Sequence, residues 1–160
     1  MYCCVVDTNV AVVANGAGNT SIDCRIAAVE FLSRIVQAGK VYLDNAGEIQ
    51  QEYRRHLNPR GQPGVGDRFF LEMLRSNPVI VSRIDLPKGV DGNFLDIPDS
   101  IVRSGFDPSD HKFLAVAIRQ GVPVCNAVDS DWLEHHLAIN EIGVTVNFVC
   151  GIEQCRRHQG

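Results

Sequence analysis

A short apolar run near the N-terminus, from Cys3 to Val6, stops abruptly at the polar residues Asp7, Thr8 and Asn9. An apolar run of this length with two adjacent valines is typical of a strand buried on both faces, as in parallel sheets. Side chains at the carboxyl end of such a strand point into the crevice where open α/β sheets bind ligands. We therefore expect Asp7 at the functional edge of a parallel sheet. The alternative is that Asp7 and Asn9 only cap or turn the chain.

Segments with strand-like and helix-like patterns alternate along most of the chain, which predicts an α/β protein with a mainly parallel sheet. Further strands are predicted at 40–43, 79–82, 123–126 and 144–149, and the main helices at 22–38, 48–57, 67–74 and 108–120. The segment 85–106 mixes Gly, Pro and Asp with weak periodicity, so it is predicted to be an irregular insertion. Residues 1–150 are expected to form one domain, followed by a polar and basic tail over 151–160.

Length and composition are those of an ordinary globular domain. The chain has 160 residues, of which 45% are hydrophobic and 21% charged. No apolar stretch is long enough to cross a membrane and no secretory signal pattern is present, so we expect a cytoplasmic protein without a membrane partner. The six cysteines are scattered, and we expect them to be buried, reduced thiols.

The charge of the chain is unevenly distributed. The net charge is −4, which alone argues against a nucleic-acid partner. Residues 54–83, however, carry six arginines against two acids, a net charge of +4, which leaves −8 on the remainder. Such a segment predicts a surface that contacts phosphates beside an acidic, metal-binding site. The alternative is a solvated helix face.

Acidic residues recur at the places that a parallel sheet would bring to one edge. They follow a strand or open a helix: Asp7, Glu48, Glu52, Asp110, Asp129 and Asp131. Carboxylates gathered away from water repel one another by several kcal/mol, and a hard divalent cation such as Mg²⁺ relieves that repulsion. Two such ions can activate a water molecule and stabilise the leaving oxygen of a phosphodiester. The pattern thus favours metal-assisted phosphodiester hydrolysis.

Four segments, taken in order, carry a resemblance to a known family. They are Val-Val-Asp-Thr-Asn-Val at 5–10, an acid on the helix at 48–57, Asp-His-Lys-Phe-Leu-Ala-Val-Ala at 110–117 and Val-Asp-Ser-Asp-Trp at 128–132. In this order and spacing they resemble the PIN-domain nucleases, from residue 3 to about residue 148. The resemblance implies a three-layer α/β/α sandwich with a parallel sheet of about five strands, in which acids hold Mg²⁺ or Mn²⁺ and hydrolyse single-stranded RNA.

The same resemblance implies a biological setting. Many PIN nucleases are VapC-like toxins that an antitoxin neutralises, and others process RNA or belong to larger defence assemblies. We therefore expect an endoribonuclease that acts as a toxin or defence effector, with a protein partner and a homodimer both compatible with the family. The segment 85–106 is longer than in the smallest toxins, which weakens the toxin assignment.

Residue roles follow from the resemblance position by position. Asp7 would be the first metal ligand, oriented by Thr8 or Asn9, and Asp110 would be the third acid. Asp129 would be the fourth acid, and Asp131 an auxiliary or water-mediated ligand.

The second acid is either Glu48 or Glu52, which share one helix face, and Glu52 is favoured because the family's acid usually lies a turn inside this helix. The family often has a hydroxyl residue just before the fourth acid, where this chain has Ala127 and Val128, with Asn126 one step earlier. The residues expected to grip the RNA backbone are Arg54, Arg55 and Arg60.

Two other functions are compatible with parts of the pattern. A phosphatase of the haloacid-dehalogenase type also uses an aspartate after its first strand, but it requires a second acid two residues later, where Asn9 stands. A PIN-like scaffold without catalytic activity could bind RNA or a protein partner, although the full set of acids argues against it.

Overall fold

The computed structural model describes residues 1–159, which form five strands and nine α-helices. The strands are β1 (Cys3–Val6), β2 (Lys40–Asp44), β3 (Val81–Ile84), β4 (Val124–Asn126) and β5 (Val146–Phe148). The helices are α1 (Thr8–Ala14), α2 (Ile22–Ala38), α3 (Glu48–His56), α4 (Val65–Arg75), α5 (Asp99–Arg103), α6 (His111–Gln120), α7 (Ser130–Glu134), α8 (His136–Glu141) and α9 (Ile152–Gln159). A 3-10 turn (Pro108–Asp110) leads directly into α6.

The strand order creates a crevice next to the first strand. All five strands of the described chain are parallel and lie in the order β3-β2-β1-β4-β5. The chain therefore builds outward from β1 through β2 to β3, then crosses over and adds β4 and β5 on the other side. Where the direction reverses, the connections leave β1 and β4 toward opposite faces, and a crevice opens at the carboxyl ends of these strands.

Helices flank the sheet in a three-layer α/β/α sandwich, which confirms the predicted fold class and the parallel sheet. Helices α1, α2 and α4 pack against one another, and α6 packs against β1 and β2. The two strands at the crevice have fully buried side chains, namely Cys4, Val5 and Val6 on β1 and Val124 and Cys125 on β4. Burying each valine contributes about 1.5–3 kcal/mol to folding, so this pair of strands is a firm base for the loops that follow it. Within residues 1–159, no helix combines the length and apolar character that crossing a bilayer requires.

Helix α1 begins immediately after β1 and was not predicted. Asp7 is its N-cap, because the Asp7 carboxylate accepts a hydrogen bond from the backbone N–H of Asn9. The two interpretations of Asp7 are therefore compatible, since the same side chain caps a helix and stands at the edge of the sheet. The short apolar pattern from Val10 to Val13 was too brief to separate a helix from a turn.

Other segments also differ from the sequence prediction. Strand β3 begins two residues later than expected, because Val79 is exposed in a turn in which its N–H donates to the side chain of Asn77. The segment 85–106 is only partly irregular, since it contains α5 and an antiparallel bridge between Lys88 and Phe94. Within the tail predicted at 151–160, α9 runs over Ile152–Gln159, and Cys155 on this helix is fully buried.

The prediction that all six cysteines are reduced thiols is wrong for two of them. Cys24 on α2 and Cys150 after β5 form a disulfide across 126 residues of sequence. Cys3, Cys4, Cys125 and Cys155 are free, and all except Cys3 are buried. Residues this far apart carry no local signal of their pairing, which is why the pattern of isolated cysteines suggested buried thiols instead.

Loss of the disulfide should destabilise the protein. Replacing both Cys24 and Cys150 by Ser removes a cross-link that closes a long loop, and we expect it to lower the free energy of unfolding by about 2–4 kcal/mol. Urea unfolding of the purified variant measures the change. As a control, Cys3→Ser alters a free, partly exposed thiol and should change stability by less than about 0.5 kcal/mol. An unchanged urea midpoint for the double variant would contradict the assignment.

Candidate metal centre

Three acids from distant parts of the sequence meet at the crevice. Asp7, Asp110 and Asp129 each place a carboxylate oxygen within 4.8 Å of the others. Asp7 follows β1, Asp110 ends the 3-10 turn before α6, and Asp129 is the N-cap of α7 after β4. The strand order explains this meeting, because two of these positions follow the adjacent strands β1 and β4. We call these residues the acid triad.

Asp7 is held in a fixed orientation by its hydrogen bonds. Its Oδ1 accepts from the backbone N–H of Asn9 at 2.9 Å and from the Asn9 side-chain amide at 2.7 Å. Its Oδ2 accepts from the indole Nε1 of Trp132 at 2.7 Å. Trp132 is completely buried, so the indole has little freedom to move away. These bonds leave one lone pair of the Asp7 carboxylate for a further partner.

Asn9 links the end of β1 to the loop that follows β4. Its amide nitrogen donates to Asn126 Oδ1 at 2.8 Å, and its Oδ1 accepts from the backbone N–H groups of Ala127 and Val128 at 2.9 and 3.0 Å. Asn126, which is fully buried, in turn accepts from the N–H of Asp129 at 3.1 Å. The hydrogen bonds of Asn9 and Asn126 thus set the spacing of Asp7 and Asp129. This chain has no hydroxyl side chain just before Asp129, where the resemblance implied one.

The carboxylates of Asp110 and Asp129 accept fewer hydrogen bonds than the carboxylate of Asp7. Asp129 Oδ1 accepts from the N–H of Asp131 at 3.0 Å and so caps α7. Asp110 is buried, but its carboxylate makes no capping bond to α6. One of its oxygens lies within 4.8 Å of an oxygen of each of the other two acids.

Burial and mutual repulsion raise the proton affinity of the triad. The pKa of Asp110 is raised to about 9, first by burial and then by the charges of Asp7 and Asp129. Burial is also the main reason that the pKa of Asp7 is raised to about 6. The pKa of Asp129 is raised in the same direction, again chiefly by burial.

These three carboxylates, of which Asp7 and Asp110 are buried and Asp129 is partly buried, fit a hard divalent cation. Mg²⁺ and Mn²⁺ prefer oxygen ligands, and a bound ion would replace the protons that the raised pKa values favour. Asp7, Asp110 and Asp129 are the residues that would hold it.

Of the two candidates for the second acid, Glu52 lies beside the triad and Glu48 does not. Glu52 Oε2 accepts a hydrogen bond from the hydroxyl of Thr8, and Oε1 accepts from Nζ of Lys112 at 2.8 Å. Its charge contributes to the raised pKa of Asp7 and of Asp129. Glu48 turns instead toward Lys88, with which it forms an ion pair at 3.1 Å. Both Glu52 oxygens are engaged with protein groups, and Glu52 is not one of the three clustered acids.

Asp131 belongs to a neighbouring set of contacts. Its Oδ2 accepts from the N–H of Asp107 at 2.8 Å, and its Oδ1 lies 3.2 Å from Nδ1 of His135. With Glu134 and His135 it forms a second group whose ligand atoms lie within 4.8 Å of one another. The Asp107 contact ties the turn that carries Asp110 to α7, so Asp131 supports the geometry of the triad without being part of it.

The basic segment 54–83 divides into two sets of arginines. Arg54 and Arg55 in the last turn of α3, and Arg60 in the following loop, are exposed. Arg54 also lies over the ring of Phe70, with 5.6 Å from Cζ to the ring centroid. The other three are used within the protein: Arg68 and Arg75 pair with Glu72, and Arg83 donates to Gln50. The exposed set contains the three arginines that were expected to contact RNA.

Sequence patterns did not indicate two of the residues that shape this site. Trp132 is the last residue of the motif at 128–132, and its buried indole donates to Asp7. Lys112 carried no signal, although its place two residues after Asp110 puts it in the first turn of the same helix. Comparisons of the chain with protein-family models, with curated proteins and with solved structures found no match.

Removing the charge of Asp110 should stabilise the metal-free protein, and the gain should grow with pH. The pKa of Asp110 is about 9 in the folded protein and about 3.9 in an unfolded chain. The wild type therefore loses stability as the pH rises from about 4 to about 9, because the unfolded state releases this proton first. Asp110→Asn lacks that loss, so its free energy of unfolding should exceed the wild-type value by about 2 kcal/mol or more at pH 8, with little difference at pH 4.

Urea unfolding in EDTA at both pH values measures this effect. Asp107→Asn is a suitable control, because Asp107 lies in the same turn but is exposed, and the N–H of Ser109 lowers its pKa. That variant should show no gain at pH 8. A gain of equal size in both variants, or no gain in Asp110→Asn, would contradict the assigned electrostatics.

Proposed function

We propose that this protein is an endoribonuclease of the PIN type, which uses Mg²⁺ or Mn²⁺ to hydrolyse phosphodiester bonds of single-stranded RNA. The observation that carries the proposal is the acid triad, whose carboxylate oxygens lie within 4.8 Å of one another at the crevice between β1 and β4. Three carboxylates at this spacing, two of them buried, form an oxygen donor set suited to a hard divalent cation. The sequence motifs around the same three residues are those that resemble the PIN nucleases.

Some residues of this site would bind the metal ion, and others orient the residues that bind it. A bound divalent ion supplies Lewis-acid activation of water and neutralises charge on the phosphate. Asp7, Asp110 and Asp129 would hold that ion. Asn9 and Trp132 orient Asp7 through hydrogen bonds, so the donor set is organised before substrate binds. The low exposure of Asp7 and Asp110, 4% and 6%, keeps bulk water from screening these charges.

The exposed arginines support an anionic polymer as substrate. Arg54 and Arg55 follow Glu52 on α3 by two and three residues, and Arg60 lies in the next loop. A strand of RNA that reached the triad would carry phosphates on either side of the cleaved bond, and arginine is well suited to bind them. This placement separates the basic surface that grips the backbone from the acids that hold the metal.

The biological setting of the proposal follows from the resemblance. The protein would act in the cytoplasm as a toxin or a defence effector. An antitoxin or a component of a defence complex would hold it inactive, and an apolar face would support a homodimer.

The alternative functions have less support. In a haloacid-dehalogenase-type phosphatase the second acid would stand at Asn9, but the Asn9 side chain is engaged with Asp7, Asn126 and two backbone N–H groups. A catalytically inactive scaffold would have no use for three clustered acids, two of them buried, because such a cluster lowers stability.

Cleavage of RNA should require both a divalent metal ion and the acid triad. We expect cleavage of single-stranded RNA in Mg²⁺ or Mn²⁺ and no cleavage in EDTA. The rate for Asp129→Asn should be at least about 100-fold lower than the wild-type rate, because removing a metal ligand costs more than removing a residue that only orients a ligand. Asparagine preserves the cap of α7, so circular dichroism should show an intact fold. A gel assay with labelled RNA measures the rates.

A matched control for charge removal is available on α2. Asp23 is an exposed acid in the first turn of that helix, and Asp23→Asn should cleave RNA at the wild-type rate. Cleavage that persists in EDTA, or full activity in Asp129→Asn, would refute the proposed function.

Replacing the exposed arginines of the basic segment should weaken RNA binding without affecting the metal. We expect the triple variant Arg54→Ala, Arg55→Ala, Arg60→Ala to bind RNA more weakly. The slope of log binding constant against log salt concentration should become shallower by about 0.7 for each phosphate contact removed. Metal affinity should be unchanged, because none of these residues contacts the triad. Fluorescence anisotropy over a range of salt concentrations measures the slope.

A control variant loses the same number of arginines outside the basic segment. Arg25, Arg34 and Arg103 are exposed arginines on α2 and α5, and replacing all three by Ala should leave the salt slope as it is. If the first triple variant keeps full affinity and slope but loses a co-purifying protein, these arginines bind a protein partner and not RNA.

A further inference from the structure

Lys112 is fixed at the border of the acid triad by three contacts. Its Nζ donates to Glu52 Oε1 at 2.8 Å and to the carbonyl oxygen of Ser109, and it lies 5.1 Å from the centroid of the Phe113 ring. The side chains of Lys112 and Glu52 are only 13% and 16% exposed. A largely buried ammonium with this many partners is a defined feature of the site, unlike the mobile lysines of an open surface.

Chain position and one shared contact connect this ammonium to two members of the triad. Lys112 follows Asp110 by two residues in the first turn of α6. Its partner Glu52 accepts a second hydrogen bond from Thr8, the neighbour of Asp7. A cation and a carboxylate therefore stand side by side at the edge of a cluster of carboxylates.

We infer that Lys112 acts as the second cation of this site: the triad binds a single metal ion, and the Lys112 ammonium contacts a non-bridging oxygen of the scissile phosphate. This inference rests on the proposed function and deepens it. Glu52 is then a positioning residue, which holds the ammonium in place before RNA binds. No proton or electron is transferred to or from Lys112, whose role is electrostatic.

The charges of the site favour one divalent ion. Glu52 is paired with Lys112 at 2.8 Å, and this pairing weakens its attraction for a second ion. A second divalent cation beside Glu52 would also be repelled by the adjacent ammonium. One divalent ion does not fully neutralise three ionised carboxylates. The Lys112 ammonium is then the positive charge at the border of the triad that an incoming phosphate can contact. Lysine binds phosphate as a point charge, and this role requires no particular angle of approach.

A metal titration without RNA tests the number of ions. Calorimetric titration of the intact protein with Mn²⁺ should give one bound ion, and Glu52→Gln should still bind one ion with an affinity within about threefold of the wild type. Two ions in the wild type, or loss of binding in Glu52→Gln, would overturn the inference. If no ion binds to the wild type, the proposed function fails as well, so the two failures are distinguishable.

RNA binding tests the contact with phosphate. In Ca²⁺, with RNA integrity checked on a gel, Lys112→Met should weaken the binding of a short single-stranded RNA by about tenfold or more, whereas Lys112→Arg should recover most of it. Glu52→Gln removes the same ion pair but keeps the ammonium, and it should bind RNA at least as tightly as the wild type.

The comparison between the two halves of the pair excludes a merely structural role. If the ion pair only stabilised the fold, Lys112→Met and Glu52→Gln would weaken RNA binding and lower the melting temperature to the same extent. That result would overturn the inference, as would unchanged RNA affinity in Lys112→Met. A larger loss of RNA affinity in Lys112→Met than in Glu52→Gln, at similar melting temperatures, supports it.

Discussion

Repulsion among three carboxylates held away from water is the constraint on which the rest of this structure depends. Burial is the main cause of the raised pKa of Asp7, Asp110 and Asp129, and the charges of Asp7 and Asp129 raise the pKa of Asp110 further. A fold keeps such a cluster only if surrounding contacts outweigh the cost. Here the buried strands β1 and β4 provide that support, because their side chains are packed on both faces and their carboxyl ends are adjacent.

A small set of neutral donors converts this destabilising cluster into an organised site. Asn9 forms hydrogen bonds with Asp7, with Asn126 and with the backbone after β4. The indole N–H of Trp132 donates to the other oxygen of Asp7. Neutral donors fix the position of a carboxylate without cancelling its charge, so the attraction for a cation is preserved. Lys112 and Glu52 form the contrasting arrangement at the border, where a full positive charge is held in place.

The sequence predicted those features that depend on local pattern and strand order. The apolar run ending at Val6 and the helices predicted at 22–38 and 108–120 are local signals, and a parallel sheet then brings Asp7 near Asp129. Contacts between distant segments leave no such pattern. The Cys24–Cys150 disulfide, the Asn9–Asn126 hydrogen bond and the Lys112–Glu52 pair each join residues at least 60 positions apart and become visible only in three dimensions.

The most direct test of the acid triad is the position of a bound ion. Crystals grown with Mn²⁺ and measured near the manganese absorption edge would show it as an anomalous difference peak. We expect one peak about 2 Å from an oxygen of each of Asp7, Asp110 and Asp129. A peak at the group formed by Asp131, Glu134 and His135, or no peak among the three aspartates, would contradict the assignment of the metal centre.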